Sequence, residues 1–317
     1  MDTVVTQCQF RGDGVTLAAD RWDPPVRDIR GSAIDRKGVV LLLHGGAQTR
    51  HSWRSTGRRL AADGWSTIAL DARGHGDSEW APDGDYGIDA LVADTRAIID
   101  ELGEKPILVG ASMGGATSLI GQGENPELAR GLVLIDTAPK LEAGGTADIM
   151  VFMRSGLEGF SSLEDAAAAI KAYAPNRVRD PNPKGLRKNL RLREGRWFWH
   201  WDPAFLHHGD DTTRQVNSRV PYERARAAAA AITVPTLLVR GEQSNVVSEE
   251  GAKELLELIP TATLIDVTGA GHMVSGDDND VFSGGLREFL DKNIAPCCAP
   301  ASVEALDDPL GCSGGNM

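Results

Sequence analysis

Ser112 sits in Lys105–Ala116, KPILVGASMGGA, where a short apolar run leads into Gly110-Ala111-Ser112-Met113-Gly114 and then into small residues able to open a helix. That is a G-x-S-x-G box at a strand-to-helix turn. A serine on so tight a turn has its hydroxyl pushed out at the top of a sheet, and flanking glycines let the backbone turn that far. The pattern points to a nucleophile, although any glycine-rich turn after a strand can hold a serine, so the rest of the chain has to decide.

A nucleophilic serine needs a base, a group that orients the base, and donors for an oxyanion. His272 suits the base: it follows Ser112 by 160 residues, in a glycine-flanked loop directly after the last predicted strand, which brings it to the same sheet edge. The other histidines suit it less. His44 and His75 sit in glycine-rich turns, His51 begins a helix, and His200, His207 and His208 fall in a less regular central segment. His207-His208-Gly209-Asp210-Asp211 has metal-binding residue types, but adjacent residues converge poorly on one tetrahedral ion. It reads as a polar loop, and no metal or cofactor is expected.

These residues need a frame that brings loops from distant parts of the chain to one edge. Val4–Phe10 and Val15–Trp22 read as an antiparallel lead-in joined at an Asp-Gly turn. Gly38–Leu43 is an unbroken apolar run suited to a strand buried on both faces, and Ser66–Leu70, Ile107–Val109 and Gly131–Ile135 read as further buried strands. Helical patterns separate them over about Ser52–Asp63, Ile88–Leu102 and the stretch after Ser112. Such alternation calls for a parallel sheet with helices on both faces.

From Pro139 to about Ala231 the alternation stops, leaving helix-like patches at Leu163–Tyr173 and Glu223–Ile232 broken by prolines. This segment reads as an inserted cap. Its Trp197-Phe198-Trp199-His200-Trp201 run stands out in a chain that is 5% aromatic, and such residues either form a cap core or line an apolar pocket. Trp199 is taken as a pocket residue. The sheet resumes with Pro235–Gly241 and Ala262–Val267, and a last helix is predicted over about Val281–Asn293. The domain reading is therefore core over 1–138, cap over 139–231, core over 232–294, and a small-residue tail over 295–317 that lacks periodicity and reads as disordered.

In this order the motifs resemble the α/β-hydrolase superfamily over nearly all of Val4–Asn293. The matching pieces are His44-Gly45-Gly46, Asp71-x-Arg73-Gly74-His75-Gly76-x-Ser78, the Gly110–Gly114 elbow, Arg240-Gly241-Glu242 and Gly271-His272. The resemblance implies a mostly parallel eight-stranded sheet with helices on both faces and an inserted, mainly helical cap. It also implies a serine hydrolase from the branch that holds esterases, lactonases, carbon-carbon bond hydrolases, perhydrolases and epoxide hydrolases. By the same analogy the oxyanion donors are the N–H groups of Met113 and Gly46, with Ala47 taking the place of Gly46 if the loop is offset by one. The Asp71–Ser78 box reads as structural.

The orienting acid departs from the family pattern. Most relatives carry an aspartate after the seventh core strand, where this chain has Asn245, and an amide cannot stabilise an imidazolium by charge. Some take the acid from the end of the sixth strand, where Asp136 follows Ser112 by 24 residues. Asp136 is favoured; Asn245 as an uncharged orienter and Glu242 remain the alternatives. Trp53, on the helix after His44-Gly45, either packs that helix or forms a substrate-pocket wall.

Composition bounds the partners. With Lys+Arg 33 against Asp+Glu 45 the formal charge is -12, which argues against nucleic-acid and anionic-membrane partners and leaves a small-molecule substrate. No apolar run reaches the roughly 18 residues of a membrane helix, and the start lacks the features of a signal peptide, so the expectation is cytoplasmic. Cys8 near the start and Cys297, Cys298 and Cys312 in the tail form no secreted disulfide framework. A homo-oligomer is compatible with the sequence. The expected activity is cleavage of an ester or lactone of an apolar or aromatic small molecule. The rival readings are a carbon-carbon bond hydrolase, an epoxide-hydrolase-like enzyme, and a non-catalytic small-molecule receptor on the same fold.

Overall fold

A computed structural model describes residues 4–27, 34–174, 181–206, 220–272 and 280–296. Its centre is an eight-stranded sheet. The strands are β1 (Val5–Arg11), β2 (Thr16–Trp22), β3 (Gly38–Leu43), β4 (Trp65–Leu70), β5 (Ile107–Ala111) and β6 (Gly131–Ile135). After a separate hairpin, β7 (Leu190–Arg193) and β8 (Arg196–Trp199), come β9 (Thr236–Gly241) and β10 (Ala262–Val267). The spatial order is β1-β2-β4-β3-β5-β6-β9-β10, with β1 and β2 antiparallel to their neighbours and the rest parallel.

The helices are α1 (Arg54–Ala62), α2 (Ile88–Leu102), α3 (Met113–Glu124), α4 (Ala143–Ser155), α5 (Leu163–Tyr173), α6 (Tyr222–Ala231), α7 (Glu249–Leu258) and α8 (Asp280–Asn293). Strand side chains alternate between two cores, as the two-residue period requires. Val39 and Leu41 join Val92, Ile120 and Leu255 from α2, α3 and α7 on one face. Val40 and Leu42 join Leu60 of α1 and Leu286 of α8 on the other. Both faces are covered, so the central strands are apolar throughout.

The segment after β6 is mainly helical, as expected, but its helices and one hairpin go beyond what the patterning revealed. It holds α4, which the periodicity did not reveal because Gly144, Gly145 and Thr146 dilute its first turn. It also holds the β7–β8 hairpin, turned at Glu194 and Gly195 with φ of 49° and 78°, the left-handed pair of a type I′ turn. A third cluster joins Met153, Phe160, Ile170, Trp199, Trp201 and Phe205 of this segment to Tyr86 and Met113 of the sheet domain.

The expected cap boundary at 231 is corrected by α6. Ala225, Ala228 and Ala229 belong to the core on the α3 side of the sheet, and a Cβ on Gly123 of α3 would stand 2.3 Å from the Ala228 carbonyl oxygen. Alanines let two helices approach this closely. Cys8 on β1 is disulfide-bonded; Cys297, Cys298 and Cys312 lie outside the described residues. So do His207–Asp211 and the tail beyond 296. Among the described residues no helix is long and apolar enough to cross a membrane.

Candidate active site

The turn after β5 begins with a strained residue. Ser112 has φ 47° and ψ -110°, a conformation that non-glycine residues rarely hold unless the surroundings enforce it. Here the enforcement is crowding. A Cβ on Gly110 would lie 2.2 Å from the Gly114 carbonyl oxygen, and one on Gly114 would lie 2.4 Å from that of Leu43. The Ser112 N–H donates to the Ile135 oxygen at 3.0 Å, and the Thr137 hydroxyl donates to the Ser112 oxygen at 3.0 Å. Elbow and β6 end are thereby tied together.

Asp136 follows β6 with φ 50°, its own N–H held by the Val239 oxygen at 2.7 Å. Its carboxylate is buried. The Ser112 hydroxyl faces His272 Nε2 at 3.2 Å, and His272 Nδ1 faces Asp136 Oδ2 at 2.7 Å. With Nδ1 donating to the carboxylate, Nε2 is left to accept the serine proton, which is the tautomer that general-base chemistry requires. The three residues expected to act together are thus joined in one hydrogen-bonded chain.

The loop after β9 contributes a residue that the sequence reading passed over. Ser244 Oγ lies 2.7 Å from Asp136 Oδ2 and accepts the N–H groups of Val246 and Val247, each at 3.1 Å. Asn245 instead points away: it is exposed, and its Nδ2 donates to Asp148 Oδ2 at 2.9 Å. Glu242 is also exposed and accepts the Gly269 N–H at 3.1 Å. Serine before a small loop is too common a turn residue to have marked Ser244 in advance.

Gly46 and Ala47 form the centre of a turn closed by the Gln48 N–H on the Gly45 oxygen at 3.1 Å, with Ala47 at φ 62°. His44 props this turn. Its Nε2 accepts the Ala72 N–H at 3.0 Å, so Nδ1 carries the proton and donates to the Gly45 oxygen at 2.7 Å. Burial pushes the His44 pKa down to about 4 and that of His75 to about 3, so both rings are neutral. Gly46, Ala47 and Met113, the first residue of α3, all border the cavity that holds Ser112.

The Asp71–Ser78 box is structural, as its composition suggested. Buried Arg50 pairs with Asp71 and with Asp20, the latter at 2.9 Å; Arg73 forks onto Asp94 at 2.7 and 2.8 Å. The same loop also fastens the inserted segment. Gly76 N–H donates to the His200 oxygen at 2.8 Å, Asp202 N–H to the Gly74 oxygen at 2.7 Å, and the Tyr86 hydroxyl to Asp202.

The cavity encloses about 1350 Å³, more than the roughly 300–1,000 Å³ of typical small-molecule sites. Trp199 lines it, packed edge-on against Phe160 with ring centres 5.3 Å apart. Tyr173 lines it too, stacked on Phe152 at 4.6 Å; burial, with Asp148 and Asp136 nearby, raises its pKa and keeps the phenol protonated. Trp53 does not line it. That residue is wholly buried with Trp22 and Trp65 in the core beneath α1 and α8, which corrects its expected place in a substrate pocket. It closes a layer between sheet and helix.

Fold and geometry together define an α/β hydrolase. The family's sequence profile, that of the alpha/beta hydrolase fold, matches residues 38–278, and the chain belongs to this family. Among its relatives is the esterase Rv0045c of Mycobacterium tuberculosis, 29% identical over 268 residues that span 80% of this chain and 82% of that protein. The mouse (Mus musculus) sn-1-specific diacylglycerol lipase ABHD11 is 25% identical over 265 residues, 80% of each chain. The crystal structure of E-2-(acetamidomethylene)succinate hydrolase superposes with a TM-score of 0.72 at 22% identity, covering 90% of this chain and 99% of that one. At that identity the likeness speaks for the fold.

Proposed function

We propose that this α/β hydrolase is a serine hydrolase that cleaves a carboxylic ester or lactone through an acyl-enzyme. The observation that carries the reading is the chain Ser112–His272–Asp136, with contacts of 3.2 and 2.7 Å. Ser112 attacks the carbonyl as His272 takes its proton; His272 then protonates the leaving alcohol, and water, activated by the same ring, releases the acid. The N–H groups of Met113 and Gly46 hold the oxyanion, each contributing on the order of 10²- to 10³-fold. Asp136 fixes the imidazole tautomer and stabilises the imidazolium.

In this reading the segment from Pro139 acts as the cap, and the apolar walls contributed by Met153, Ile170, Trp199 and Phe205 select an apolar or aromatic body. The esterase and lipase relatives support ester chemistry. A serine at the elbow disfavours epoxide opening, where relatives resemble one another in using aspartate. The direct test is a fluorophosphonate probe with a panel of esters and lactones. Rapid labelling of the native protein, lost in Ser112→Ala, is expected together with turnover of esters. An unlabelled, inert protein would favour the receptor reading.

A further inference from the structure

The walls of the cavity differ in hydrogen-bonding character. Gln48 on the oxyanion loop and Lys188 and Asn189, which end a short 3-10 stretch beginning at Pro183, all line it. Gln48 Oε1 is occupied by the Gly45 N–H at 3.0 Å, and Asn189 Oδ1 by the Thr49 hydroxyl at 2.9 Å. These bonds fix which end of each amide is the oxygen and leave both NH2 groups, for which no acceptor stands among the described residues, to donate. Lys188 adds an amine with no ion-pair partner among the described residues; desolvation and, after it, repulsion from Arg54 push its pKa down, so an anion beside it would be favoured as a partner.

Among the described residues no carboxylate stands on this wall. Among the described lining residues the acids are Asp136, engaged with His272 and Ser244, and Glu254, hydrogen-bonded by Tyr222 of α6. A patch of donors and uncompensated positive charge in a chain of formal charge -12 favours an anion. We propose that Gln48, Lys188 and Asn189 form a subsite for a carboxylate of the substrate, so that the bond cleaved belongs to a molecule that is apolar along one side and acidic at one end.

The turnover arm of the test rests on the serine-hydrolase reading; the binding arm does not. Para-nitrophenyl valerate is compared with mono-para-nitrophenyl glutarate, which carries the charge in the acyl half. Para-nitrophenyl butyrate is compared with its ring-carboxylated analogue, which carries it in the leaving half. The expected result is that kcat/KM favours the anionic member of at least one pair by about tenfold, the scale of one charge-assisted hydrogen bond. The anionic-to-neutral ratio should collapse in Lys188→Gln, invert in Lys188→Glu and survive in Lys188→Arg.

Calorimetric binding of the same esters to Ser112→Ala should rank them in the same order. If the protein proves inert but Ser112→Ala still binds the anionic ester more tightly through Lys188, the hydrolase reading fails and the subsite stands. If neutral esters match anionic ones in both binding and turnover, or Lys188→Gln leaves the ratio unchanged, the subsite is overturned.

Discussion

Ser244 Oγ stands 2.7 Å from Asp136 Oδ2, and the two N–H groups it accepts from Val246 and Val247 leave its proton free to lie on the carboxylate. The hydroxyl is therefore a donor of fixed direction. Ser244→Ala should lower kcat by about tenfold, the scale of a hydrogen bond to a charged group. Because the hydroxyl holds Asp136 in place for His272, the loss should fall on kcat, with KM unchanged within about twofold. Ser244→Thr should retain most of the activity. A loss carried by KM, or shared equally by Ser244→Thr, would make the residue merely structural.

Asp136 and Asn245 make opposite predictions. Asp136→Asn should reduce kcat by about 10⁴-fold, the cost seen when an amide replaces the orienting aspartate of a serine protease. Asn245→Ala should leave turnover within about twofold, since its side chain bonds Asp148; Asn245→Asp should bring no gain, because the new carboxylate would face Asp148. Steady-state kinetics on one ester decides, and the reverse ranking would overturn the assignment of Asp136.

Two buried histidines predict an acid-labile fold. The folded pKa values of His44 and His75 are pushed down to about 4 and about 3 by burial, below the ordinary value near 6.5. Between those limits the unfolded chain binds more protons than the folded one, so stability is fully present above about pH 6.5 and is lost as pH falls. Each ring should contribute a slope of about 1.4 kcal/mol per pH unit in that window. Urea midpoints at a series of pH values test this, and His75→Gln should flatten the slope by one proton's share.

Arg50 gives a second test of the fold. It is buried and pairs with Asp71 and Asp20, both buried, and with the half-exposed Asp77. Arg50→Met removes the cation and leaves the carboxylates without their partner, which should cost about 3–5 kcal/mol of unfolding free energy. A cost below about 1 kcal/mol would mean that water replaces the guanidinium. Exposed Lys105→Met, which breaks a surface pair with Glu127, should leave the urea midpoint essentially unmoved by comparison.

The sheet was legible because its signals are local. Apolar runs such as Gly38–Leu43 and Ile107–Ala111 carry their burial in their composition, and the elbow glycines carry the turn. His272 was legible from its place after the last strand. Ser244, Gln48 and Lys188 were not, because their roles come from which hydrogen-bonding partners are already taken, and that is settled only when separate loops meet. Trp53 misled for a related reason. Its neighbour Ser52 lines the cavity, and one residue's rotation along a helical turn put the indole in the opposite layer. The inserted segment resisted because a glycine-diluted helix and a four-residue hairpin give weak periodicity.

Ala111 and Ile135 are paired in register across β5 and β6, and each is followed by a residue of the Ser112–His272–Asp136 chain. The spacing between Ser112 and Asp136 is thus measured off by the sheet ladder itself, independent of the roughly eighty residues between Pro139 and α6. Such a layout separates what must be conserved from what can drift. The segment between Pro139 and α6 could be exchanged for a foreign one, in a chimera, without disturbing the distance between these two side chains, so new substrate preferences are open to this scaffold by recombination as well as by point mutation.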